Sequence, residues 1–164
     1  MNTLAPGQNR HFSYIGVQYF ALTWSCYEHQ THFTQRDRVD LVRDQMLRAS
    51  RETNVADLAH CFMPDHVHEL VKGETDDADV EAYIRKAKQY SGYYFQKQFG
   101  MKLWVRKGFD QLKRDAGEFQ SALQYILENP VKAGLVTRPE DYPYTGSSKH
   151  DAGIDGHRIS TRRR

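Results

Sequence analysis

Two histidines one residue apart, His66-Val67-His68, are the first residues whose type and spacing can do chemistry. In an extended strand, side chains two apart share a face. Both imidazoles then project together while Val67 points the other way. Two neutral imidazoles side by side suit a divalent cation and leave coordination positions for substrate oxygens. The alternative is a solvated pair on a strand with no ligand. A zinc site that includes Cys61 is weaker, because Pro64 separates it from the pair and no second cysteine is near.

Tyr125 is the second candidate. The run from Glu118 to Pro130 is amphipathic, with Phe119, Ala122, Leu123 and Ile126 on one helical stripe. Tyr125 and Asn129 are four apart and share the edge of that stripe. A phenol ordinarily titrates at about pH 10 and is a weak nucleophile at neutrality. A neighbouring cation favours its ionised form and neutralises charge on a phosphate under attack. Attack by tyrosine on a phosphodiester gives a covalent phosphotyrosine and divides transesterification into two steps. The alternative is a core tyrosine with a wetted hydroxyl.

These residues need elements to position them. The pattern predicts a strand over Ile15–Tyr27, a helix over Asp37–Arg51, and strands over Val55–Met63 and His66–Val71 parted by Pro64-Asp65. It predicts a helix opened by the acidic run Glu74–Glu81 and stopped at Gly100, then a short strand over Leu103–Lys107. A last helix covers Gly117–Asn129 and ends at Pro130. Strands and helices in this order predict an α+β domain around an antiparallel sheet. No glycine-rich phosphate loop follows any strand, which argues against the common nucleotide-binding folds.

A chain of 164 residues predicts one domain with a real core. No run of about 18 apolar residues suggests a membrane span. Met1–Arg10 lacks the apolar run of a signal peptide. Cys26 and Cys61 are too few for a disulfide framework, so a reducing, cytoplasmic setting with buried thiols is expected. The net charge of +2 hides a segregation. Residues 85–114 carry nine Lys/Arg against one acid, Asp110, and residues 149–164 carry five against two. Such a stripe attracts a polyanion, or is a solvated face with no partner.

Taken together, the ordered motifs resemble the HUH single-tyrosine transposases, in particular the REP-associated group. The residues that carry the resemblance are Met63-Pro64-Asp65-His66-Val67-His68, Leu22-Thr23, Leu103-Trp104, Phe109-Asp110, Tyr125-Ile126, Asn129-Pro130-Val131-Lys132-Ala133-Gly134-Leu135-Val136, Pro139-Glu140-Asp141-Tyr142-Pro143 and Ser147-Ser148. They span roughly 15–148. The resemblance implies a ferredoxin-like or RRM-like fold with helices packed on an antiparallel sheet. It assigns His66 and His68 to a Mg2+ or Mn2+ ion, with Asn129 where relatives often place a Gln ligand, and it makes Tyr125 the nucleophile. The implied substrate is single-stranded DNA with hairpins or palindromic repeats, joined through a 5′-phosphotyrosine. Arg85 and Lys88 on one helix, with Arg106 and Lys107 on a strand, are the candidate DNA contacts.

Two departures stand out. Asp65 replaces the usual Asn, and Glu69 stands where an apolar residue is usual, its charge expected near the metal or in solvent. The expected organisation is a leader over 1–13, the transposase domain over 14–148 and a basic tail over 149–164. Monomer and homodimer both remain open, as do a hairpin-binding module that does not cut and a metal-dependent phosphodiesterase that uses water.

Overall fold

The computed structural model describes residues 13–114 and 117–147, with the side chains of 107–114 outside that description. The leader up to residue 12 and the basic tail over 149–164 lie outside the described residues. The elements are β1 (Tyr19–Cys26), α1 (Arg36–Thr53), β2 (Val55–Met63), β3 (His66–Gly73), α2 (Val80–Phe99), β4 (Trp104–Arg114), α3 (Phe119–Lys132) and β5 (Thr145–Gly146). The strands form one sheet in the order β4-β1-β3-β2-β5, antiparallel at every pairing. The first six elements follow the ferredoxin-like βαββαβ plan.

The sheet has a layer on each face, and alternation along the strands decides what meets which. In β1, Phe20, Leu22, Trp24 and Cys26 are buried, while the residues between them are half-buried. The buried set packs with Val39, Val42 and Met46 of α1 and with Tyr83, Ile84, Ala87 and Phe95 of α2. On the opposite face, Ala59, Cys61, Met63 and Leu70 pack with Ala122, Leu123 and Ile126 of α3. Each large apolar side chain buried this way contributes about 1.5–3 kcal/mol relative to exposure. No helix among the described residues is long and apolar enough to cross a membrane.

Several boundaries differ from the sequence pattern for local reasons. β1 begins at Tyr19, because Gly16 turns the chain at φ 97° and Ile15 makes only an isolated bridge to Asp79. A Cβ at Gly73 would sit 2.0 Å from the Gly16 carbonyl oxygen, so the backbones meet there without room for a side chain. α2 starts at Val80, where the Asp79 carboxylate accepts the Ala82 N–H at 2.9 Å. Most of the acidic run therefore precedes the helix. β4 reaches Arg114, and its pairing with β1 is irregular between Trp24 and Cys26. α3 does not end at Pro130. The carbonyls of Asn129, Pro130 and Val131 accept N–H groups from Ala133, Leu135 and Gly134, which extends the helix through Lys132.

Glu69 faces neither a metal nor solvent. It lies opposite His68 in the strand alternation, fully buried against α2, and accepts the Tyr83 hydroxyl, while its Oε2 has no hydrogen-bond partner. Beside it, buried His60 Nδ1 lies 2.6 Å from Asp57 Oδ2. Burial first, and the Asp57 charge second, hold the Glu69 carboxyl well above the usual carboxylate range. The folded state then binds a proton that the unfolded state releases, so this group's contribution falls as pH rises above about 4.5. Glu69→Gln keeps an acceptor for Tyr83 and removes the titration. The variant is expected to be more stable by about 1–3 kcal/mol near pH 8, the scale of an uncompensated buried polar group. At pH 4 the two proteins should differ little, and urea midpoints at both pH values read the contrast.

Candidate active site

The β2–β3 turn sets where the histidines begin. Its backbone is pinned from two sides: Cys26 N–H donates to the Asp65 carbonyl at 2.9 Å, and Phe33 N–H donates to the Pro64 carbonyl at 3.0 Å. From that anchor, β3 runs antiparallel to β1 with Ser25 opposite His66 and Thr23 opposite His68. Val67 goes into the core with α1 and α2. The two histidines, half-buried, occupy the other face, the one that α3 covers.

Their rings are nearly perpendicular, with centroids 4.7 Å apart. The Nε2 atoms converge to 3.1 Å. Each Nδ1 is engaged elsewhere: His66 with Asp65 Oδ1 at 2.7 Å, His68 with Thr23 Oγ1 at 3.1 Å. Burial first, and the neighbouring His66 second, push the His68 imidazole down to about 4. It is therefore neutral at physiological pH, the state in which a nitrogen lone pair is available.

This arrangement fits a divalent cation. Adjacent ligands on an octahedral ion, with bonds of about 2.1 Å, sit about 3.0 Å apart, close to the observed separation of the Nε2 atoms. Among the described residues no group of three or more His, Cys, Asp or Glu side chains is placed to hold a metal. An amide or substrate oxygens would have to complete the shell. Cys61 packs in the apolar cluster under α3, and burial pushes its thiol up to about 11, which disfavours the thiolate a zinc site needs.

Tyr125 stands on α3, whose Ala122, Leu123 and Ile126 seat the helix on the sheet. Its ring meets the His68 ring edge-on, with centroids 5.6 Å apart, and the side chain is 52% exposed. The phenol is thus beside the histidines and open to a large substrate. Asn129 is half-buried one turn further along the helix. The extension of α3 past Pro130 adds Lys132, whose Nζ lies 5.4 Å from the Tyr125 ring centroid and 3.6 Å from Glu128 Oε2. Reading Pro130 as the helix end hides this neighbour. Spacing does not reveal Thr23, because only the β1–β3 register brings it to His68. Asp65 adjoins His66 in sequence, but its contact with Nδ1 depends on how the β2–β3 turn is held.

The basic candidates do not gather with the histidines. Arg85 and Lys88 belong to α2, in the layer across the sheet. Arg85 is exposed, whereas Lys88 is half-buried, with Nζ 3.4 Å from the Val105 carbonyl. Arg106 is exposed on the edge strand β4. The side chain of Lys107 lies outside the described residues. Trp104 is buried between Trp24 and Phe33 and donates to Ser91 Oγ at 2.9 Å.

Comparisons with known proteins bear on the family and the fold. A Haemophilus influenzae protein named as a REP-associated tyrosine transposase is 27% identical over 148 residues, covering 83% of this chain and 82% of that protein. The REP-associated tyrosine transposase of Escherichia coli K12 is 24% identical over 106 residues, covering 64% of this chain and 62% of that one. Among solved structures, a REP-associated tyrosine transposase bound to a REP hairpin shares the fold, with a TM-score of 0.71 at 20% identity, over 85% of this chain and 81% of that one. The model of the IS200-like transposases matches residues 16–127, a span that holds His66, His68 and Tyr125. With well over half of its length in that match, the chain belongs to the IS200-like transposase family.

Proposed function

We infer that the chain cuts and rejoins single-stranded DNA bearing hairpins or palindromic repeats, with Tyr125 as the nucleophile. The observation that carries this reading is the Tyr125 ring lying against His68 while the two imidazole Nε2 atoms converge. A divalent cation, Mg2+ or Mn2+, held by His66 and His68 with Asn129 as candidate third ligand, would neutralise charge on the phosphate under attack.

The chain's own residues divide the remaining work. Tyr125 Oη forms a bond to phosphorus as the bond from phosphorus to the 3′-oxygen breaks. The phenol proton leaves to water, which reaches this half-exposed side chain, and the departing 3′-oxygen takes up a proton to become a hydroxyl. The products are a 5′-phosphotyrosine and a free 3′-end. Attack by another 3′-hydroxyl reverses the step. Lys132 brings its ammonium group within 5.4 Å of the Tyr125 ring centroid. Tyr125 and both histidines come from one chain, so a single copy can assemble the site.

The test is a labelled hairpin-bearing strand, from repeats flanking the gene, incubated with the protein and Mn2+ and then denatured. A covalent protein–DNA adduct that EDTA prevents is expected. Tight binding with no adduct would instead make the chain a hairpin-binding module, and cut DNA without adduct would make it a water-using phosphodiesterase.

Arg85 and Arg106, exposed on α2 and β4, are the accessible members of the proposed DNA path. Each phosphate contact to a single strand contributes about 0.7 to the slope of log affinity against log salt. Arg85→Ala and Arg106→Ala should each lower that slope by about this amount. Fluorescence anisotropy across a salt series measures it, and an unchanged slope removes that residue from the path.

A further inference from the structure

We propose that Asp65 is a positioning residue for the metal pair: its carboxylate fixes His66 with Nε2 toward the ion and strengthens that nitrogen as a ligand. The proposal rests on the reading of His66 and His68 as metal ligands. Its ground is the geometry on the far side of the ring, where Asp65 Oδ1 lies 2.7 Å from His66 Nδ1. A carboxylate only accepts, so the proton must sit on Nδ1, and the Nε2 lone pair is left facing the Nε2 of His68.

The carboxylate is itself held. Its residue is in the turn whose carbonyls are bonded to Cys26 and Phe33 N–H groups. Its second oxygen, Oδ2, lies 3.6 Å from Nδ1 of His29, a residue with φ 52° in the turn after β1. His66 is therefore braced by an anchored anion, whereas His68 is braced by the neutral hydroxyl of Thr23. An anionic acceptor behind an imidazole makes it a stronger electron-pair donor. Loss of such an outer partner typically weakens metal binding by about 10–100-fold. An Asn here would offer a carbonyl oxygen to Nδ1 without the charge, so charge and geometry can be separated.

The experiment measures Mn2+ affinity of the full chain without DNA, by the electron paramagnetic resonance signal of unbound Mn2+, in wild type, Asp65→Asn, Asp65→Ala and His66→Ala. Thermal midpoints are recorded for each, with and without Mn2+. The expected order is wild type tightest, Asp65→Asn weaker by about tenfold and Asp65→Ala weaker by up to about a hundredfold, with metal-free midpoints alike. Wild-type affinity in Asp65→Ala alongside lost binding in His66→Ala overturns the role of Asp65 and leaves the metal pair standing. Undiminished binding in His66→Ala overturns the metal pair and the role of Asp65 with it.

Discussion

Tyr125→Phe is expected to abolish the covalent protein–DNA adduct, lowering its rate by about a thousandfold or more, the scale on which removing a nucleophile acts. Phenylalanine keeps the ring that meets His68 edge-on and removes only the hydroxyl oxygen that would bond to phosphorus. The ring is half in solvent, and no described hydrogen bond uses its hydroxyl, so folding should hardly notice the change. Affinity for the hairpin strand should stay within about twofold, since phosphate contacts set binding while chemistry depends on one oxygen. Denaturing gels give the adduct, anisotropy the affinity and calorimetry the thermal midpoint. The informative result is a loss in the first with no change in the other two. Adducts that persist at the wild-type rate would place the nucleophile elsewhere among the chain's tyrosines.

The sequence disclosed those parts of the site that depend on local periodicity. The strand over Val55–Met63 is legible because Pro64-Asp65 breaks a run of strand-forming residues, and the structure begins β2 at Val55 and ends it at Met63. The common face of His66 and His68 followed from a period of two, and the common helix of Tyr125 and Asn129 from a spacing of four. What stayed hidden depends on pairing between distant segments. Thr23 reaches His68 only because β1 and β3 adopt one register out of several. Lys132 approaches Tyr125 only because the carbonyls of Asn129, Pro130 and Val131 find donors in the turn that follows. Glu69 is the instructive case. Alternation with His68 turns its side chain to the opposite face, yet a carboxylate is so costly to bury that metal or solvent is the expectation the sequence supports. Its partner, the Tyr83 hydroxyl, comes from a helix whose packing no local pattern reveals. β4 was cut short for a related reason: an irregular pairing breaks the period on which strand recognition relies.

His68→Ala is expected to have the second-largest effect, and it tests whether the histidine pair acts as one unit. His68 sits between the other participants: its Nε2 faces His66, its Nδ1 bonds Thr23 and its ring touches Tyr125. Alanine removes one of the two imidazoles proposed to hold the ion, so Mn2+ affinity should drop by more than the roughly 10–100-fold of an outer-partner change. Adduct formation should fall with it, and excess Mn2+ should restore it poorly, because the remaining imidazole leaves the ion unfixed beside Tyr125. Stability carries an independent signature. The His68 imidazole is pushed down to about 4 in the folded chain from an ordinary 6.5. Between those values the unfolded state binds a proton that the folded state refuses, so wild-type stability should fall as pH drops from about 6.5 toward about 4. His68→Ala removes that component, and its urea midpoint should lose less than that of the wild type between pH 7 and pH 5. A variant that lost the metal but kept the full acid sensitivity would show that His68 titrates normally. The neutral, half-buried imidazole that the proposed chemistry requires would then be wrong.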